Sequence, residues 1–162
     1  MSTKEALTRG RRVLVTHVRL AEEAVALLHD NDVDVLYTAP YTPEEELVAK
    51  VAEWQVDAMI VRQCRLTAPV IAASKKLRVI AKHGVGVDNI DVAAAERLGI
   101  WVTVAGTANF NTVAEVGLGF IIALGRQTGF FERNAKSGNW AIRNKISGID
   151  LEGKTLGLIG FG

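Results

Sequence analysis

The residues LRVIAKHGVGVDNIDVAAAERLGIWVTV (77–104) decide the fold, because they place one helix pattern between two strand patterns. Residues 77–82 form an apolar run typical of a strand, and residues 100–104 form a second one. Residues 91–98 have a helical pattern, and Gly99 behind them is a typical helix stop. A strand, a helix and a strand in this order predict a parallel βαβ unit.

The same alternation of strand and helix patterns runs through the residues that precede this stretch. Three further strands are predicted, at residues 12–17, 34–38 and 58–62. Residues 12–105 are therefore predicted to form one α/β domain, a doubly wound parallel sheet with helices on both faces. Residues 1–11 are predicted to be a disordered N-terminal tail, because they are polar and end in a basic run.

The remaining residues, 106–162, are predicted to leave this domain and begin another. One long helix is expected over residues 112–137, and an apolar strand over residues 155–159. That strand leads into Gly160-Phe161-Gly162, and a strand that opens into Gly-x-Gly begins a dinucleotide-binding βαβ unit. The segment is therefore interpreted as an interdomain helix followed by the first strand of a truncated Rossmann domain.

Composition excludes several classes of protein. The 162 residues are 49% hydrophobic and 23% charged, which indicates a globular chain, and a net charge of +1 gives no electrostatic reason to expect a nucleic acid or membrane partner. Cys64 is the only cysteine, so no internal disulfide and no cysteine-based metal cluster can form. No signal peptide and no apolar run of about 20 residues is present, so a cytoplasmic location is expected.

The turn KHGVGVDNID (82–91) is the densest cluster of residues that could carry chemistry. It follows the fourth predicted strand, and ligands of open α/β sheets bind beyond the carboxyl ends of strands. Glycines on both sides of Val85 would leave backbone N–H groups uncovered, as in a nest for a carboxylate or phosphate. The alternative is a plain β-to-α turn in which Asp88 or Asp91 caps the next helix.

Five pieces of the chain, in order, resemble the D-isomer-specific 2-hydroxyacid dehydrogenases, the family of phosphoglycerate dehydrogenase and hydroxypyruvate reductase. They are LRVIAKHGVGVDNID (77–91), AAAERLGIWV (93–102), N-x-x-T-V-A-E (109–115), G-x-W (138–140) and LEGKTLGLIGFG (151–162). The resemblance covers residues 12–162. It implies a flavodoxin-like substrate domain beside a Rossmann cofactor domain, and hydride exchange between NAD or NADP and a D-2-hydroxy acid or 2-keto acid.

The resemblance also implies functional residues. Substrate would contact Arg62, Val85, Gly86 and Asn109, with the amides of Val85 and Gly86 on its carboxylate, and cofactor would contact Val85, Thr112, Val113, Gly160 and Gly162. No catalytic residue is assigned, because the family's catalytic Arg, Glu and His lie beyond the glycine motif. The 162-residue chain alone is therefore expected to be inactive.

A second hypothesis stands beside the dehydrogenase. The chain could instead be a non-catalytic module that binds a small carboxylate, or one that forms a homodimer or pairs with a relative through the 112–137 helix. His17 and His83 are expected near the ligand and His29 on a helix surface, none of them catalytic. Cys64 is expected to be an ordinary loop cysteine.

Overall fold

The computed structural model describes residues 10–160, and its centre is a five-stranded parallel sheet. The strands are β1 (Arg11–Val15), β2 (Val33–Tyr37), β3 (Ala58–Val61), β4 (Val79–Lys82) and β5 (Trp101–Val104). Their spatial order is β2-β1-β3-β4-β5, with every neighbouring pair parallel. This is the flavodoxin-like order, so the predicted fold class is confirmed.

The first strand begins at Arg11, inside the segment that the sequence predicts to be disordered. Arg11 is paired in register with Val33, and its guanidinium forms an ion pair with Asp57 at 2.9 Å. The carboxylate of Asp57 also accepts from the backbone N–H of Arg12 at 3.0 Å. These contacts order the residue, and the predicted tail over residues 1–9 lies outside the described part of the chain.

Four helices connect the strands: α1 (Glu22–His29), α2 (Glu44–Trp54), α3 (Ala68–Ala72) and α4 (Val92–Arg97). The last of these shows clearly how the local sequence sets a helix. The carboxylate of Asp91 caps α4 by accepting from the N–H of Ala94 at 2.9 Å. Gly99 follows the helix with a φ of +67°, a conformation that glycine adopts without strain.

Alternate residues of the strands face two separate apolar clusters, as period two requires. On one face Leu14, Met59, Val61 and Ile80 pack with residues of α2, α3 and α4, and all four strand residues are fully buried. On the other face Val13, Val15 and Val33 pack with partly buried apolar residues that include Leu28 of α1. Helices therefore cover both faces of the sheet, and the larger core lies under α2, α3 and α4.

The described residues divide into two compact units, one ending at Ala108 and the other beginning at Asn109. The second unit contains α5 (Phe110–Gly125), α6 (Thr128–Lys136) and a 3-10 helix (Trp140–Asn144). The prediction of one helix over residues 112–137 is therefore wrong. The break falls at Arg126 and Gln127, and Gln127 has left-handed backbone angles (φ 53°, ψ 38°) that no α-helix accommodates.

Residues 148–151 return to this break and hold it in place. The N–H of Ile149 donates to the carbonyl of Gly125 at 2.6 Å, and Arg126 forms an ion pair with Asp150. A side chain on Gly148 would lie 2.9 Å from the Cα of Arg126, so only glycine permits this close approach. These contacts come from residues more than 20 positions along the chain, so the local helix pattern could not predict them.

The predicted strand over residues 155–159 does not form. A strand needs a hydrogen-bonded neighbour, and the described residues of the second unit contain no other strand with which it could pair. Leu156, Leu158 and Ile159 are exposed. Among residues 10–160, none of the helices combines the length and the hydropathy that a membrane crossing requires.

Candidate functional site

The candidate site lies at the carboxyl edge of the sheet, where β1 and β3 are neighbours. The chain passes from β1 to β2 on one side and then returns to place β3 on the other side, so the strand order reverses here. Ligands of open α/β sheets bind in the crevice outside such a switch point. Thr16 and His17 follow β1, Arg62 follows β3, and His83 follows β4, so four polar residues meet this edge.

Arg62 has its backbone fixed on both sides. Its N–H donates to the hydroxyl of the buried Thr16 at 3.0 Å, and its carbonyl accepts from the Nζ of Lys82, also at 3.0 Å. Its Nη1 donates to the Nε2 of His17 at 3.4 Å. The residue itself is exposed. The site therefore presents a guanidinium, which can donate two parallel hydrogen bonds to a carboxylate or phosphate.

Asn89 joins the loop after β3 to the loop after β4. Its Nδ2 donates to the carbonyl of Cys64 at 2.6 Å, and its Oδ1 accepts from the Nζ of Lys82 at 2.7 Å. Backbone bonds of 2.8 Å from Leu66 to the carbonyl of Asn89, and from Asp91 to the carbonyl of Leu66, extend the connection. The sequence analysis placed Lys82 and Asn89 in the glycine-rich cluster but gave neither a role, because their bonds to Arg62 and Cys64 reach residues 20 and 25 positions away.

The glycine-rich turn leaves two backbone donors available. The N–H groups of Val85 and Gly86 have no hydrogen-bond acceptor among the described residues. Both residues are exposed, and a Cβ on Gly86 would contact the carboxylate of Asp88 at 3.2 Å. Two adjacent N–H groups without a described acceptor are what the predicted nest for an anion requires. Asp91 caps α4, as the alternative interpretation of a plain β-to-α turn predicted. The turn therefore has the open N–H groups of the first interpretation and the capping aspartate of the second.

Gly84 sets the path of this turn, and its replacement by alanine is expected to lower the free energy of unfolding by about 1–3 kcal/mol. Its φ is +141°, which side chains rarely accept, and its carbonyl accepts from the N–H of Ala105 at 2.9 Å. Urea unfolding measures the loss. Gly106→Ala is the matched control, because a Cβ there meets nothing within 4 Å. Equal stability of the two variants would contradict the strain assigned to Gly84.

The other predicted ligand contacts lie in the second unit or outside the described residues. Asn109 is the residue before α5, and its side chain makes no capping hydrogen bond. Thr112 and Val113 are exposed in the first turn of that helix. Gly160 is exposed with a φ of +83° and nothing within 4 Å of a built Cβ, whereas Gly162 lies outside the described part of the chain. Only Arg62, Val85 and Gly86 thus share one sheet edge.

The remaining candidate side chains have plain structural surroundings. Cys64 is fully buried and its thiol donates to the carbonyl of Ala39 at 3.6 Å, which fits an ordinary loop cysteine. His29 is exposed in the last turn of α1, and His83 is exposed beside the glycine turn. Within residues 10–160 no group of three or more His, Cys, Asp or Glu side chains could hold a metal ion.

A flavodoxin-like sheet whose carboxyl edge presents an exposed arginine and a glycine-rich turn is typical of domains that bind small ligands, and comparison with known proteins names the family. The sequence profile of the D-isomer specific 2-hydroxyacid dehydrogenase catalytic domain matches residues 13–149. The chain therefore belongs to that family, which confirms the resemblance found from the sequence.

Individual relatives support the same family assignment. The chain is 40% identical over 152 residues to D-3-phosphoglycerate dehydrogenase of Methanocaldococcus jannaschii, covering 93% of this chain and 28% of that protein. It is 38% identical over 144 residues to hydroxypyruvate reductase of Thermotoga maritima, covering 88% of this chain and 46% of that protein. The structure of NAD+-bound 3-phosphoglycerate dehydrogenase from Entamoeba histolytica superposes with a TM-score of 0.63 at 29% identity, covering 74% of this chain and 40% of that one. The chain spans less than half the length of each.

Proposed function

We propose that the unit ending at Ala108 binds the substrate of a D-2-hydroxyacid dehydrogenase, an enzyme that exchanges hydride between NAD or NADP and a small 2-hydroxy or 2-keto acid. The observation that carries this proposal is the pair of adjacent N–H groups at Val85 and Gly86, which have no acceptor among residues 10–160 and lie on the same sheet edge as the exposed Arg62. Family membership supports the reaction class, and relatives named phosphoglycerate dehydrogenase and hydroxypyruvate reductase support the substrate class.

The chemistry of these groups suits a 2-hydroxy acid. A carboxylate accepts hydrogen bonds from adjacent backbone N–H groups without the desolvation cost of a second buried charge. The guanidinium of Arg62 would hold a further oxygen or a second anionic group of the same small molecule. Binding at two points orients the ligand, and orientation is what the domain contributes to a reaction whose redox chemistry belongs to the cofactor.

The cofactor's chemistry would come from a nicotinamide dinucleotide, which supplies or accepts the hydride. Gly160 fits such a group, because its positive φ and open surroundings leave the backbone accessible to a pyrophosphate. Thr112 and Val113 are exposed, as residues that border a nicotinamide must be. We include in the proposal a cytoplasmic location and the ligand contacts that the resemblance implies. The residues concerned are Val85, Asn109, Thr112, Val113, Gly160 and Gly162.

A second candidate function is a module that pairs copies of the chain. The supporting observation is the apolar surface of α5, whose exposed residues are Phe110, Val113, Val116, Leu118, Phe120, Ile122 and Leu124. An exposed apolar surface of this extent is typical of an interaction site. Light scattering separates the candidates, since a homodimer through α5 doubles the mass whether or not a carboxylate is added.

The function is tested by replacing Arg62. Arg62→Ala is expected to weaken binding of D-glycerate about tenfold, because one charge-assisted pair contributes about 1.5 kcal/mol or more. Isothermal titration calorimetry of the purified chain measures the dissociation constant. Arg65→Ala is the matched control, since Arg65 is an exposed arginine of the same loop with no hydrogen bond or ion pair among the described residues. Equal losses in both variants, or no loss in Arg62→Ala, would contradict the proposed site.

A further inference from the structure

His17 is the one residue that holds the guanidinium end of Arg62 within the described part of the chain. Its Nε2 lies 3.4 Å from the Nη1 of Arg62, and its Nδ1 lies 3.1 Å from the carbonyl oxygen of Arg19. The two residues are 45 positions apart in sequence and meet because β1 and β3 are neighbours. The imidazole therefore bridges a backbone carbonyl and the proposed anion-binding side chain.

These contacts select one form of the imidazole. An arginine guanidinium can only donate, so Nε2 must carry a lone pair. The proton of the neutral ring then sits on Nδ1 and donates to the carbonyl of Arg19. The opposite tautomer keeps only a 3.4 Å contact from the N–H of Arg19 to Nδ1, and it points an N–H at the guanidinium. The Nδ1–H form satisfies two partners and the Nε2–H form one.

We propose that His17 is a positioning residue, which acts as the Nδ1–H tautomer and holds the Arg62 guanidinium ready for the anionic group of the substrate. This inference rests on the proposed function. Arginine loses considerable rotamer freedom when it is fixed on a ligand. An anchor in the free protein removes part of that loss before the ligand arrives, so the ligand binds more tightly.

The first test reads the tautomer directly from the 15N shifts of the His17 ring at about pH 8, where histidine rings are usually neutral. His17 is expected as Nδ1–H, and Arg62→Ala is expected to release it to the Nε2–H form that free side chains favour in water. His29 is the internal control, because its exposed ring has no partner among the described residues. An Nε2–H ring in the unmodified chain would overturn the proposal.

The second test is a double-mutant cycle on D-glycerate binding. His17→Ala is expected to raise the dissociation constant about three- to tenfold, the range for one immobilised side chain. His17→Gln is expected to retain most of the affinity, because its Oε1 still accepts from the guanidinium. In an Arg62→Ala background, His17→Ala should have no further effect. The same loss with and without Arg62 would overturn the positioning role.

Failure of the proposed function can be distinguished from failure of the His17 proposal. A chain that binds no D-glycerate contradicts the substrate site. The ring tautomer, and its response to Arg62→Ala, still decide whether His17 positions Arg62.

Discussion

Leu14→Ala is expected to lower the free energy of unfolding of the first unit by about 3 kcal/mol. Leu14 is fully buried in β1, a central strand of the sheet, and pairs in register with Leu36 on β2 and Met59 on β3. It packs into the larger core cluster under α2, α3 and α4. Truncation removes the transfer energy of the side chain and leaves a cavity, and together these cost about 2–5 kcal/mol.

Urea unfolding followed by the fluorescence of Trp54 measures this loss, because Trp54 packs against the same cluster. Trp101→Phe and Trp140→Phe remove the other two tryptophans from the signal. Leu27→Ala is the control, since Leu27 is 65% exposed on α1 and its truncation should change stability by about 0.5 kcal/mol or less. Similar losses in both variants would contradict the placement of Leu14 at the centre of the core.

Asn89→Ala is expected to lower the free energy of unfolding by about 2 kcal/mol. The substitution removes the donor to the carbonyl of Cys64 and the acceptor for the Nζ of Lys82. Each net hydrogen bond contributes about 1 kcal/mol, and a group left without its partner adds a desolvation cost. Because Asn89 connects the loops after β3 and β4, the same change is expected to loosen Arg62 and the glycine turn.

The same fluorescence assay measures the stability of Asn89→Ala. Asn111→Ala is its control, because the exposed Asn111 side chain of α5 has no partner among residues 10–160. Asn89→Asp keeps an acceptor for Lys82 but places a carboxylate oxygen against the carbonyl of Cys64, so it should also lower the free energy of unfolding. A fully stable Asn89→Ala variant would show that backbone bonds alone hold the two loops together.

The sheet could be predicted from the sequence because each strand is encoded locally. Apolar runs bounded by turn residues located all five strands to within about two residues, a usual margin for element boundaries. The alternation with helices then required parallel pairing and helices on both faces. The order β2-β1-β3-β4-β5 followed from the family resemblance, since periodicity does not specify which strands are neighbours.

The second unit shows where local patterns fail. Gly125, Arg126 and Gln127 read as part of a helix, and the break depends on contacts with residues 148–151. Residues 155–159 have a strand pattern, but no described strand lies beside them to complete one. In both cases the structure depends on partners distant in sequence, and a window of neighbouring residues does not contain that information.

The candidate site was predictable only where its residues are close together in sequence. The glycine turn is visible in the sequence because Gly84 and Gly86 surround Val85 within one short segment. The supports of Arg62 are not visible, because Thr16, His17 and Lys82 come from other strands and reach it only in the folded sheet. Sequence reasoning therefore selected the candidate binding groups, and it did not show how Thr16, His17 and Lys82 hold Arg62.

The central claim is that the amides of Val85 and Gly86 bind the carboxylate of a 2-hydroxy acid. Titration of the 15N-labelled chain with D-glycerate, followed by amide NMR, tests it most directly. Saturable shifts of the Val85 and Gly86 signals, reduced in Arg62→Ala, are the predicted result. Binding that leaves both amide signals unmoved, or shifts that appear only elsewhere in the chain, would contradict the account.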